Sequence, residues 1–187
     1  MFKTTFSRRT FLQASLAGIL TLCGVDAALA KAVAPDRLPE GTISLYNIHT
    51  DERLSVRYRR TDGTYDVDAL NALNWLLRCH YTNEETVMDV DTIEYLNRVD
   101  KRLGGGNEIH VISGYRSPSY NALLRHNSSH VAKHSLHMVG KAIDIAIPGT
   151  PLDRVRHTAL ALRLGGVGYY PASGFVHIDS GAVRHWG

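Results

Sequence analysis

The chain has 187 residues, 44% of them hydrophobic and 21% charged. That is enough apolar material for one domain of ordinary size, and too much for a disordered chain. The formal charge is +3, but Lys3, Arg8, Arg9 and Asp26 in residues 1–30 carry +2 of it, so the remaining +1 excludes a charge-driven nucleic-acid partner.

Ser7-Arg-Arg-Thr-Phe-Leu12 reads as a twin-arginine export motif. An uncharged stretch from Ala14 to Val25 follows it, and Ala28-Leu-Ala30 has the form of a cleavage site. The stretch is too short to span a bilayer. Residues 1–30 are therefore expected to be a signal lost on export to the periplasm, leaving no membrane attachment. Cys23 lies in that signal, so Cys79 stands alone in the mature chain and is read as a core thiol. Residues 31–40 hold two prolines and no periodicity, which suits a short tether. The folded domain is expected over 41–187, as a monomer.

Thr42 to Ile48 and Leu54 to Tyr58 alternate in hydropathy about a polar turn, the pattern of a β-hairpin at a sheet edge or of a small decoration. Asp66 suits a helix cap, with an apolar stripe running on to Cys79. A second helix is expected from Asp89 or Asp91, ending at Gly104-Gly-Gly106. Ile109 to Ser113 reads as a strand, and Ser117 with Pro118 opens a third helix. Residues 125–136 are polar and basic, with His126, His130 and His134, and read as a surface loop. Pro151 starts a fourth helix expected to end at Gly165-Gly166. Val167 to Tyr170 and Phe175 to Asp179 are two further strands. The sum is an α+β fold, an antiparallel sheet with helices packed on one face.

Ser135 to Asp144 is the stretch that suggests chemistry. Beyond Gly140, alternation puts Ala142, Asp144 and Ala146 on one strand face and Ile143, Ile145 and Ile147 on the other. One carboxylate between small residues, seven positions after His137, suggests a metal held by His137 and Asp144. In Phe175-Val-His-Ile-Asp179 the apolar Val176 and Ile178 take the core face, so His177 and Asp179 share the opposite one. If the two strands share a sheet, His137, Asp144 and His177 form a two-nitrogen, one-oxygen set that Zn²⁺ accepts with a fourth position open. A hydrogen-bonded His177 and a turn-stabilising Asp144 are the alternative on spacing alone.

Ser135-x-His137-x-x-Gly140-x-Ala142-x-Asp144 resembles the metal motif of the zinc peptidases that include D-Ala-D-Ala carboxypeptidases and dipeptidases, and Ser113-Gly-Tyr-Arg-Ser117 is similar to their arginine motif. The segments Gly165 to Pro171, Phe175 to Asp179 and Arg184 to Gly187 resemble the exported murein endopeptidases of the YcbK/MepK type within that superfamily. The resemblance implies a hedgehog-like fold with one zinc ion in a groove on the sheet face opposite the helices. It implies cleavage of peptidoglycan stem-peptide cross-links, in this branch between two meso-diaminopimelic acid residues. His137, Asp144 and His177 would be the ligands, and Arg116 would stand beside the substrate carbonyl, where a guanidinium stabilises an oxyanion. A D,D-carboxypeptidase or dipeptidase on the same scaffold, or a non-catalytic peptidoglycan-binding module, would share these motifs.

The base that takes a proton from water is not given by the motif. Relatives place a Glu three residues, or a His two residues, before the last ligand, and this chain has Gly174 and Phe175 there. Asp179 is the first candidate, with orientation of His177 or Arg116 as its alternative, and His185 near the chain end is the second. Ser135 and Tyr170 are candidate substrate contacts. Arg125 and Lys133 suit the free carboxylate of a diaminopimelate stem.

Overall fold

The computed structural model describes residues 38–128 and 131–187. The signal expected over 1–30, most of the tether and His130 lie outside them. Residues 38–40 already touch the domain: the Pro39 carbonyl accepts from Arg59 at 2.6 Å, and the Glu40 carbonyl from Asn97 at 2.9 Å.

Seven strands form one sheet: β1 (Gly41–Asn47), β2 (Glu52–Arg59), β3 (Glu108–Ser113), β4 (Ala142–Ala146), β5 (Gly166–Tyr170), β6 (Phe175–Asp179) and β7 (Arg184–Trp186). Their order across the sheet is β2-β1-β3-β4-β6-β5-β7. The β1–β2 hairpin is thus one edge of the main sheet. The expected all-antiparallel pairing is corrected: β1 pairs parallel with β3, and β5 parallel with β7. Both follow from connectivity. After β2 the chain passes through two helices before β3 pairs along the free edge of β1. After β6 it crosses β5 and runs back along the outer edge as β7.

Among the described residues four α-helices accompany the sheet: α1 (Val67–Leu76), α2 (Val90–Arg102), α3 (Pro118–Asn127) and α4 (Leu152–Leu162). The α1 start is set by Asp66, which accepts from the Ala69 amide, and that of α2 by Asp89. Helix α4 ends earlier than Gly165: Arg163 caps it in the left-handed region at φ 53°, which frees Gly166 to begin β5. Helices α1, α2 and α4 lie against the strands. Their Leu73, Leu96, Val99, Val155 and Ala159 bury Ile43, Leu45, Ile143, Ile145, Val176 and Ile178. Helix α3 does not join this layer. Its one buried residue, Asn121, donates to the Ala132 carbonyl at 3.2 Å and so ties the helix to the loop beyond it. Cys79 is buried and free. No described helix is long and apolar enough to cross a membrane.

Candidate metal centre

The β4–β6 ladder sets two of the candidate ligands. Asp144 pairs directly with His177, and Ala142 with Asp179. Because Ile143, Ile145, Val176 and Ile178 take the core face, alternation sends both polar pairs to the other side. Strands in register place such side chains about 5 Å apart at Cβ. His177 Nδ1 and Asp144 Oδ1 meet at 2.8 Å.

His137 arrives from a short 3-10 turn, Leu136–Val139, which ends on Gly140 at φ 68°. A side chain at 140 would strike the Val87 carbonyl as well as carry that backbone strain, so only glycine closes this turn. A carbonyl only accepts, so the 2.7 Å contact between His137 Nδ1 and the Gly114 oxygen fixes the proton on Nδ1. The Nε2 lone pair then faces the cluster, 3.2 Å from Asp144 Oδ1 and 3.1 Å from His177 Nδ1.

Three buried donor atoms therefore converge on one point. His137, Asp144 and His177 form a group able to hold a metal ion. The electrostatics favour positive charge there. Burial opposes ionisation of Asp144, but His137 and His177 outweigh it and hold the carboxyl far below its usual range. Burial likewise pushes His177 down, yet its bonds to Asp144 and Asp179 prevail and raise it to about 8. His137, buried with weaker compensation, is lowered.

Asp179 lies behind His177. Its Oδ2 meets the distal ring nitrogen, Nε2, at 3.0 Å. It has no exposed surface. It also accepts from the Gly166 and Gly181 amides and from both terminal nitrogens of Arg184. Burial alone would raise its pKa, but His177 and Arg184 bring it down to about 2. Arg116 stands on the other flank, its Nη2 3.5 Å from Asp144 Oδ2. Its amide donates to the His137 carbonyl at 3.1 Å, and its buried Nε has no partner.

A groove of about 690 Å³ opens over the cluster. Arg116, Ser135 and Tyr170 line it, as do His134, Phe175, Arg184 and Trp186. Ser135 makes no capping bond to the turn that follows it. The structure does not bring His185 to the groove: β7 alternates, and Arg184 and Trp186 take that side. The loop expected from residue 125 begins later, because Arg125 and His126 lie in the last turn of α3; both, like Lys133, are exposed and outside the groove lining. Sequence reasoning gave Arg184 and Trp186 no role. The available signal was the pair Gly166 and Gly168, since alternate glycines in a strand mark a close approach by something else.

Comparison with known proteins adds the family context. The family model described as peptidoglycan L,D-endopeptidase MepK matches residues 38–186. A Haemophilus influenzae protein named "Probable peptidoglycan L,D-endopeptidase MepK" is 45% identical over 145 residues, 77% of each chain. The peptidoglycan L,D-endopeptidase MepK of Escherichia coli K12 is 41% identical over 144 residues, 77% of this chain and 79% of the relative.

Proposed function

The chain belongs to the peptidoglycan L,D-endopeptidase MepK family, and on that premise we propose that it is a zinc-dependent murein endopeptidase acting in the periplasm after twin-arginine export. Its substrates are the peptide cross-links of peptidoglycan, and the bond cleaved joins two meso-diaminopimelic acid residues. The single observation that carries the zinc reading is the convergence of His137 Nε2, Asp144 Oδ1 and His177 Nδ1 at mutual distances of 2.8–3.2 Å. Ligands about 2.0–2.1 Å from one tetrahedral Zn²⁺ lie roughly 3.3–3.4 Å apart, so the donor set fits with little adjustment.

When bound, zinc supplies Lewis-acid polarisation of the scissile carbonyl and activation of water. The chain's own residues do the rest. The Gly114 carbonyl and the Asp179 carboxylate orient the two imidazoles through their outer nitrogens. Arg116 lines the groove with its Nη2 beside Asp144, where a guanidinium is suited to charge developing on a carbonyl oxygen. Ser135 and Tyr170 contact the peptide from the groove walls. Asp179 is fully engaged behind His177, which favours its orienting role over that of base. His134, in the groove lining, is better placed to exchange a proton with water. Arg125, in the last turn of α3, and Lys133, on the loop beyond it, meet the stem carboxylates outside the groove. The protein works as a monomer.

The absence of a carboxylate base among the described groove residues favours one second reading, a zinc-containing module that binds peptidoglycan without cutting it. Digestion of defined cross-linked muropeptides with mass readout separates the readings. Cross-linked dimers are expected to fall to monomers, with activity lost in His137→Ala and on chelation. Release of terminal D-Ala alone would indicate a D,D-carboxypeptidase, and binding without cleavage by zinc-loaded protein would establish the module.

A further inference from the structure

Strand β7 pairs along the outer edge of β5, and its two groove-side residues reach across that strand. The registers define two rows across the sheet: Ala142, Asp179, Gly166, Arg184 and Asp144, His177, Gly168, Trp186. Side chains two strands apart are separated by about 9.5 Å and meet only if the residue between them has no side chain. Both intervening residues are glycine. A Cβ on Gly168 would lie 2.7–2.8 Å from three atoms of the Trp186 indole, and one on Gly166 would collide with the Asp179 carboxylate and with Arg184 Nη1.

Through the first gap Arg184 grips Asp179 with two parallel bonds, Nη1 to Oδ1 at 3.0 Å and Nη2 to Oδ2 at 2.8 Å. This bidentate geometry fixes the plane of the carboxylate as well as its charge. With the Gly166 and Gly181 amides also donating to Oδ1, Oδ2 is left aimed at His177 Nε2. Through the second gap the Trp186 ring settles 5.2 Å from the His177 ring, while its Nε1 donates to the Tyr170 hydroxyl at 2.7 Å. The Arg184 guanidinium lies 5.0 Å from the Trp186 ring and joins the two contacts.

We propose that Arg184 is a positioning residue for the metal centre, locking Asp179 so that it holds the His177 ring in its ligating orientation, with Trp186 packed beside that ring. This rests on the zinc reading above. It adds a residue that touches neither metal nor scissile bond, supplied by the last strand of the chain.

The test uses the mature chain with its C-terminus intact. Zinc affinity is measured by competition with a chromophoric chelator, and ligand geometry by the visible spectrum of the Co²⁺-substituted protein. Loss of an outer partner of a ligating histidine weakens metal binding by roughly 10–100-fold. Arg184→Ala is expected to bind zinc about tenfold more weakly, with an altered cobalt spectrum. Arg184→Lys, which keeps the charge but cannot make two parallel bonds, should fall between it and the wild type. A merely structural role would lower thermal stability and leave the spectrum of the folded protein unchanged. Wild-type affinity and spectrum in Arg184→Ala overturn the proposal, and if that variant does not fold, the same result in Arg184→Lys does so. If the wild-type chain itself binds no zinc, the zinc reading fails and this inference with it; zinc bound equally by wild type and variants removes this inference alone.

Discussion

At the scale of single residues, His80 has its charged form disfavoured by the fold. Burial, with His49 and Arg116 nearby, lowers its pKa from 6.5 to about 4. The His49 ring stacks on it at 3.9 Å and the Tyr120 ring meets it edge-on at 5.1 Å. His49 is itself held, with Nε2 donating to the Ile112 carbonyl at 3.0 Å. A folded pKa below the unfolded one means that the unfolded chain binds more protons in between. The contribution from neutral His80 is therefore complete above about pH 6.5 and is lost as pH falls toward 4. Discounted for partial exposure, the loss is about 1–2 kcal/mol. Urea titrations across that interval should show the decline, and His80→Gln should flatten it.

At the scale of elements, Asp89 does more than cap α2. Its Oδ1 accepts from the Asp91 amide at 3.1 Å and its Oδ2 from the Ser180 hydroxyl at 2.8 Å. Its own amide donates to the Gly140 carbonyl at 2.9 Å. One residue thus ties the helix to the end of β6 and to the turn carrying His137. Asp89→Ala is expected to cost about 2 kcal/mol in urea unfolding, the upper part of the range for a cap, while Asp66→Ala, whose other partner is the exposed Arg60, should cost about 1. The Asp66 cap could be read from the sequence, since an acidic residue ahead of an apolar stripe is a local signal, whereas Asp89 and Asp91 left the start of α2 open, and it is the Asp89 side chain that accepts from the Asp91 amide. Alternation was as informative for β4 and β6: isoleucines and valine on one face leave Asp144 and His177 on the other, wherever the strands lie in the sheet. β7 could not be found this way. Arg184-His-Trp186 has no apolar alternation, and its partner is an edge formed some eighteen residues earlier. The parallel pairings had the same cause, being set by the path of the chain between strands rather than by any strand's own residues. Gly165-Gly166 has the form of a helix stop, yet Arg163 takes the left-handed cap of α4 and Gly166 begins β5.

At the scale of the whole molecule, a ligand bound only by the folded state stabilises it by mass action. The three candidate ligands come from β4, β6 and the turn between α3 and β4, so an unfolded chain cannot present them together. Zinc at 100 times its dissociation constant should add about 2.7 kcal/mol, which for a domain of this size raises the melting temperature by about 5–10 °C. Calorimetry with zinc and then with excess chelator should show the rise and its reversal, and His137→Ala should abolish both. The position of β6 has a further consequence, for opening motions. With β4 on one side and β5 on the other, β6 cannot lose its hydrogen bonds without tearing the sheet apart, whereas the 136–139 turn is a single short 3-10 segment. Amide hydrogen exchange should therefore divide the site in two. Ile143 and Ile178 should exchange only by global unfolding, while Met138 and Val139 exchange through a cheaper local opening. The slow pair marks the half of the site that persists through ordinary fluctuations, and the fast pair marks the half that moves when the site opens.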